Sequence, residues 1–401
     1  MCILGAGIRF AALFDKKAGL WVCGRKNILD RMAETIDKDA DIVWFHAASL
    51  GEFEQGRPVM EEFRRCQPGY KILLTFYSPS GYEVMKNYGG ADYVFYLPDD
   101  KPRKVRRFMR IARPKIAVFI KYEYWVNYLF ALKRSGAKVY IISAIFRPGQ
   151  VFFRWYGRLF RKALGCFDRI FVQNGMSEEL LAGIGVTNVT VAGDTRFDRV
   201  YKIASEAREL PAIARFAHGN EVLVGGSTWP PDEQLLIRLI NDNPEVKFII
   251  VPHEIDDIRI EKLMSQTGRP SLRYTQLTQG SDLEGAGVLV IDTIGLLSSI
   301  YRYGKYGYIG GGFGAGIHNV LEAATFGLPL AFGPNYERFA EAVDLVRDGG
   351  AVSVNDYAEL SVWFEEMRTD NSRYLAHSKA CTDYIDGHRG ATKLILSYIC
   401  R

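Results

Sequence analysis

An α/β fold of two doubly wound, Rossmann-like domains is predicted by three features: chain length, a strand-then-helix rhythm in both halves, and a polar stretch between them. The 401 residues exceed one ordinary core and suit two domains of about 200 residues each. Short apolar runs, each followed by a Gly, Ser, Thr or Pro cluster and then a helical pattern, fall at 41–47, 71–76, 116–120, 138–142 and 169–172. The second half repeats them at 222–225, 247–251, 288–291, 306–309 and 328–332. Such alternation indicates parallel sheets covered on both faces. The polar stretch Asp198–Asn220 places the junction near Arg199–Glu209, giving domains 1–203 and 204–401. The amphipathic stretch Ala391–Ile399 reads as a closing helix that packs back on the first domain. Two such domains facing each other put their strand carboxyl ends, where ligands bind, on opposite walls of one cleft.

The composition, 48% hydrophobic and 24% charged with net charge +5, is that of a soluble globular protein and gives no argument for nucleic acid. The six cysteines, Cys2, Cys23, Cys66, Cys166, Cys381 and Cys400, form no CxxC and no pairing with nearby histidines, so metal-ligand spacing is absent. Met1–Phe14 is mostly apolar, but Arg9 interrupts it and Asp15-Lys16-Lys17 ends it. It is short of the about 20 apolar residues of a membrane span.

The most informative segment is Tyr308–Ala324, in which a strand ends in Gly310-Gly311-Gly312-Phe313-Gly314-Ala315-Gly316 and a helix is expected to begin near Ile317. Glycines let backbone approach a ligand closely, and free N–H groups at a helix start favour phosphate. On such a helix His318, Asn319 and Glu322 share one face, and Glu322 suits a ribose diol. The spacing matches neither GxGxxG with a distant acid nor a P-loop, which disfavours dinucleotide and ATP. A second phosphate candidate is Gly226-Ser227-Thr228 before Pro230-Pro231, where hydroxyls could donate to phosphate or simply cap a helix.

In the first half, Ile42–Ala47 runs into Ala48-Ser49-Leu50-Gly51-Glu52. Glu52, at a helix start, is placed either as a general base or as a helix-dipole partner. Glu123, in Lys121-Tyr122-Glu123-Tyr124-Trp125, is a further acid just beyond a strand. Asp99-Asp100 reads as a surface turn. Two basic stretches stand out. Lys101–Arg110 contains Arg103, Lys104, Arg106 and Arg107, and further on Arg154, Trp155 and Arg158 lie among Phe146, Phe152, Phe153, Tyr156 and Phe160. Both suit an interface with acidic headgroups, or a solvated helix face packed by aromatics.

With these segments in order, the chain resembles the transferases that attach 3-deoxy-D-manno-octulosonic acid (Kdo) to lipid A. The resemblance rests on His46-Ala47-Ala48-Ser49-Leu50-Gly51-Glu52, Ser78-Pro79-Ser80-Gly81-Tyr82, Gly193-Asp194-Thr195-Arg196-Phe197-Asp198, Gly226-Ser227-Thr228, Val251-Pro252-His253, Asp292–Leu297, Gly310–Ala324 and Gly333-Pro334-Asn335. It implies a glycosyltransferase-B fold, inverting transfer from CMP-Kdo to a lipid A precursor (lipid IVA), no cofactor or essential metal, and work at the cytoplasmic face of the bacterial inner membrane in peripheral contact with its anionic leaflet. Carried over, Glu52 matches the base and Glu123 a further important acid. Ser227, Thr228, His253, Gly314, Gly316, His318, Asn319 and Glu322 fall to the donor site, and Arg196 and Lys121 are candidates to meet the Kdo carboxylate. The chain departs from the family in Lys121, where many members carry an acid, in Val126, where Pro is usual, and in a start too short and broken for the usual anchor. The rival expectations are a nucleotide-diphosphate-sugar transferase or sugar epimerase on the same fold, and a catalytically silent lipid- or nucleotide-binding module.

Overall fold

A computed structural model describes residues 14–400. Most of the Met1–Phe14 stretch therefore lies outside the described residues. Two compact units emerge: the described residues up to Arg199 together with those from Arg389 onward, and Val200–His388.

The first unit holds a seven-stranded sheet ordered β3-β2-β1-β4-β5-β6-β7. Its strands are β1 (Ile42–Ala47), β2 (Lys71–Phe76), β3 (Tyr93–Tyr96), β4 (Ile116–Ile120), β5 (Lys138–Ala144), β6 (Arg169–Val172) and β7 (Val189–Val191). All neighbours pair in parallel, with Phe45 opposite Leu74 and Val118. Side chains alternate along each strand. Trp44, Leu73, Phe119 and Ile141 enter one apolar layer, and Phe45, Leu74, Val118 and Ile142 the other. Both faces are thus buried, which is why these strands read as continuous apolar runs. The closing helix, Ala391–Ile399, puts Ile395, Leu396 and Ile399 into the second of these layers.

The second unit repeats the plan with a sheet ordered β10-β11-β9-β8-β12-β13-β14. These strands are β8 (Val222–Thr228), β9 (Lys247–Pro252), β10 (Ser271–Arg273), β11 (Val288–Val290), β12 (Tyr306–Ile309), β13 (Leu330–Phe332) and β14 (Ala351–Ser353). The α/β architecture of two separate parallel sheets is that of the glycosyltransferase-B type.

Several expectations need correction. Strand β8 continues through Ser227 to Thr228 rather than ending at Gly225. No helix begins near Ile317; the helix is the single turn Leu321–Ala324. Gly311 and Gly316 sit at φ +93° and +125°, and the His318 N–H donates to the Gly310 carbonyl (3.1 Å), which folds the chain after Gly316 back on the strand end. Asp99-Asp100 is no surface turn. Asp100 is buried, and its carboxylate accepts from the backbone N–H groups of Asn127 (3.3 Å) and Tyr128 (3.2 Å) at the start of the helix Val126–Ser135. Phe146 and Phe152 are core rather than interface, leaving Trp155 and Tyr156 as the exposed aromatics of that stretch. Among the described residues, no helix is long and apolar enough to cross a membrane.

Candidate active site

In the first unit the acidic candidates lie just beyond the carboxyl ends of neighbouring strands β1 and β4. Glu52 occupies the first turn of the helix Leu50–Cys66, half-buried, and its Oε2 accepts from the Ser49 hydroxyl. Ser49 is the N-cap residue, and its hydroxyl binds this carboxylate rather than a backbone N–H of the helix.

Glu123 is buried on a polar chain that starts in the sheet. Trp44 Nε1 donates to Thr75 Oγ1 (2.8 Å), and His46 Nδ1 lies 2.9 Å from that hydroxyl and 3.0 Å from the Thr75 carbonyl. A carbonyl only accepts, so Nδ1 carries hydrogen. His46 Nε2 lies 2.9 Å from Glu123 Oε2 and accepts from Trp125 Nε1 (2.9 Å). Trp125 Nε1 donates to the same Oε2 (2.5 Å). Sequence reasoning named His46 only within a motif; its position inside an apolar strand, three residues before the helix cap, was the available signal. Lys121 follows β4 at φ +68°, with Nζ 5.4 Å above the Tyr122 ring. Arg196 lies at the start of the helix Thr195–Ser205 and its Nε donates to Asp194 Oδ2 (2.8 Å), so it already has a carboxylate partner.

In the second unit the glycine turn is held from three sides. Buried Asp232 accepts from the Gly311 N–H (2.9 Å), the Trp229 N–H (2.9 Å) and the Tyr308 hydroxyl (2.9 Å). Burial and Asp232 keep the Tyr308 phenol well above its usual range, so it remains a donor. Asn335 donates its N–H to the Gly312 carbonyl (2.9 Å) and its side-chain amide to that of Gly314 (3.0 Å). The glycines are required by close approach: a Cβ on Gly312 would stand 2.5 Å from the Gly333 nitrogen.

A cavity of about 380 Å³ opens on this turn, lined among others by Trp229, Phe313, Gly314, Gly316 and His318. His253, from the end of β9, stacks on His318 (4.3 Å between centroids) and on Trp229 (4.8 Å), and Trp229 Nε1 donates to His318 Nε2 (3.1 Å). Burial, aided by His253, lowers the His318 pKa from its ordinary value. The Arg338 guanidinium lies against Gly316, a cation that sequence reasoning missed although it follows Gly333-Pro334-Asn335 by three residues.

Other donor-site candidates are placed differently. His318 and Asn319 precede the short helix instead of sharing its face with Glu322. Asn319 accepts from the Leu321 N–H (3.1 Å) and donates to Glu322 Oε1 (3.0 Å). Thr228 is fully buried, its hydroxyl donated to Glu233 (3.0 Å), which Arg259 also holds (2.6 Å). Its side chain is therefore not presented to a ligand. Ser227, at φ +53°, remains half-buried at the strand end. Among the described residues no cluster of three His, Cys, Asp or Glu side chains could hold a metal ion.

The basic stretches also divide. Lys104 pairs with Asp99 (2.7 Å) and Arg107 with Asp30. Arg103 and Arg106 face outward on the helix Pro102–Ala112, whose Val105, Phe108 and Ala112 are buried. Arg154, Trp155 and Arg158 are exposed, Trp155 to 90%.

Comparison with known proteins adds family evidence. A family model described as 3-Deoxy-D-manno-octulosonic-acid transferase (kdotransferase) matches residues 25–199. The 3-deoxy-D-manno-octulosonic acid transferase of Bordetella pertussis is 27% identical over 372 residues, covering 88% of this chain and 86% of that protein. That of Aquifex aeolicus is 25% identical over 343 residues, covering 83% and 88%. Among solved structures, UDP-GlcNAc 2-epimerase from Neisseria meningitidis bound to UDP-GlcNAc superposes with a TM-score of 0.62 at 14% identity, covering 89% of this chain and 99% of that one. A putative UDP-N-acetylglucosamine 2-epimerase from Listeria monocytogenes gives 0.61 at 12% identity, covering 90% and 96%. These structural likenesses show the fold. The chain is thus similar in sequence to Kdo transferases over most of its length and in fold to the glycosyltransferase-B type.

Proposed function

We propose that the chain transfers Kdo from CMP-Kdo to a lipid A precursor with inversion, the first unit serving the acceptor and the second the donor. The observation that carries this reading is the sequence relationship to Kdo transferases over 88% of the chain, joined to Glu52 held at a helix start just past β1. In the proposed step Glu52 takes the proton of the acceptor hydroxyl, whose oxygen attacks the anomeric carbon. The bond to CMP breaks as the new glycosidic bond forms, so one displacement inverts the centre. Negative charge grows on the departing phosphate, and Arg338, His318 and the glycine turn supply the cation and N–H donors suited to it. Exposed Trp155 with Arg154 and Arg158 suits peripheral contact with an anionic leaflet. The test is Glu52→Gln: turnover is expected to fall at least about 100-fold with CMP-Kdo binding retained, and substantial turnover in that variant removes Glu52 as the base.

A second reading is epimerisation of a nucleotide-diphosphate sugar. It draws on the fold shared over about nine-tenths of the chain with UDP-GlcNAc 2-epimerases. The broader class, a nucleotide-sugar enzyme of this fold, is what both readings have in common. Turnover of UDP-GlcNAc alone, with CMP-Kdo left untouched, selects the epimerase.

A further inference from the structure

Two cysteines far apart in the chain meet on the first unit. Cys66 ends the helix Leu50–Cys66, and Cys400 directly follows the closing helix Ala391–Ile399. The two helices pack against each other, with Val59, Met60 and Phe63 of the one and Ile395, Leu396 and Ile399 of the other in a single apolar layer. That packing brings their ends together. The Cys400 thiol has the Cys66 thiol as a hydrogen-bond partner, and Gln67 Nε2 reaches the Cys400 carbonyl at 3.5 Å. Cys66 is exposed and Cys400 half-buried, so a small reagent in solvent reaches the first more easily than the second.

The other described cysteines are placed differently. Cys381 is buried and donates to the Leu328 and Gly350 carbonyls (3.2 Å each). Cys166 is buried and turned to the Lys162 carbonyl (3.8 Å). Cys23 is exposed on the separate helix Lys16–Gly24. Among the described residues, Cys66 and Cys400 alone form a thiol pair. They sit where the returning segment is hydrogen-bonded least tightly. Its start is fastened by Asp198, which accepts from the Gly390 N–H (2.7 Å) and the Thr392 N–H (2.6 Å). Its end has the Gln67 bond and one from the Tyr140 hydroxyl to the Tyr398 carbonyl (3.4 Å), both long for such bonds.

We propose that Cys66 and Cys400 are a redox-modification site, which a small disulfide converts to an intramolecular disulfide that locks the closing helix onto the helix Leu50–Cys66. The Cys66 thiolate attacks one sulfur of the small disulfide, whose S–S bond breaks. One small thiolate leaves, and a mixed disulfide stands on Cys66. Cys400 then gives its proton to solvent and its sulfur attacks the Cys66 sulfur. The mixed S–S bond breaks as the Cys66–Cys400 bond forms, and a second small thiol departs. Two protein thiols thus lose two electrons and two protons, which the small disulfide gains in becoming two thiols. Burial first, then the Cys66 thiol and the Glu62 carboxylate, push the Cys400 thiol up to about 11. Little of it is thiolate near neutral pH, and Cys66 is the thiol that meets the oxidant first. In reducing surroundings the pair stays open, and an excess of small disulfide closes it. The inference is independent of the sugar chemistry proposed above.

The test incubates the full chain with glutathione disulfide, alkylates it, digests it without reduction and weighs the peptides. A peptide pair joined through Cys66 and Cys400 is expected. It should form at least about tenfold faster in native buffer than in denaturant, where the long intervening chain keeps the thiols apart. Cys66→Ser and Cys400→Ser are each expected to abolish the link with circular dichroism unchanged, and Cys400→Ser to leave glutathione on Cys66. In scanning calorimetry, oxidation of the wild type is expected to raise the first unit's transition by about 5 °C or more. The serine variants should show no such rise, and dithiothreitol should return the wild type to its starting value. Glutathione on separate cysteines without a joined peptide overturns the inference. So does a link formed as fast in denaturant, or one that leaves the transition unmoved.

Discussion

At the residue scale the buried polar groups set both stability and chemistry. His46 links Thr75 to Glu123, so His46→Leu takes a contact from the buried Glu123 carboxyl group and from the Thr75 carbonyl and leaves Glu123 the Trp125 indole as donor. Leaving a buried polar group without a hydrogen-bond partner costs about 1–3 kcal/mol, and denaturant unfolding should show a loss of that size, partly restored in His46→Gln. Asp232 accepts from the Gly311 and Trp229 N–H groups and the Tyr308 hydroxyl. Asp232→Ala orphans these donors and is expected to cost about 2–4 kcal/mol and to weaken nucleotide binding through the loosened turn, read by calorimetry with CMP. His318 gives a pH dependence. Its folded pKa is lowered by burial first and by His253 second, so the unfolded chain binds the extra proton. Its contribution to stability is complete above the unfolded value of about 6.5 and is lost as pH falls toward the lowered folded value. NMR titration should find its ring turning over below the ordinary histidine range; a midpoint above that range contradicts the stacked, neutral arrangement.

At the element scale the glycine turn and the strand ends explain what could and could not be read in advance. The central strands were legible because both their faces are buried, which writes an unbroken apolar run into the sequence; β2, β4, β6 and β12 match the expected spans residue for residue. Four strands escaped notice, β3, β7, β10 and β14, and all four are sheet edges. Each is short, and in β3, β7, β10 and β14 partly exposed positions break the run. Of the site, the positions of Glu52, Glu123 and the glycine turn were legible from strand-to-helix junctions. The missing part lay in contacts remote in sequence: Asp232 reaching Gly311, Asn335 reaching Gly312, and Arg338 lying on Gly316. The expected helix after Gly316 failed because the periodicity of His318, Asn319 and Glu322 carries no information about the bond from the His318 N–H back to the Gly310 carbonyl. The same geometry makes Gly312→Ala informative. Its Cβ would press on Gly333 backbone, which cannot give way like a flexible side chain. A loss of about 2 kcal/mol or more in thermal unfolding is expected, together with weaker nucleotide binding.

At the scale of the whole molecule the chain builds one seven-stranded parallel sheet, crosses at Arg199–Val200, builds a second, and returns to the first unit from Arg389 onward. The returning helix buries Ile395, Leu396 and Ile399. At about 1.5–3 kcal/mol for each fully buried side chain, truncation before Ala391 is expected to destabilise the first unit by about 5 kcal/mol. Scanning calorimetry should show one of two transitions shifted; both left unmoved contradicts the role given to that helix. For the whole protein, composition and strand rhythm told the fold class, whereas substrate identity rested on collinear motifs and stands as the proposal. That proposal is tested most directly by mixing the full-length chain with CMP-Kdo and tetra-acylated lipid A precursor and weighing the lipid products. The account predicts the precursor's mass raised by one or more Kdo residues with CMP released in equal number. An unchanged lipid mass, with UDP-GlcNAc consumed by the same preparation, contradicts it.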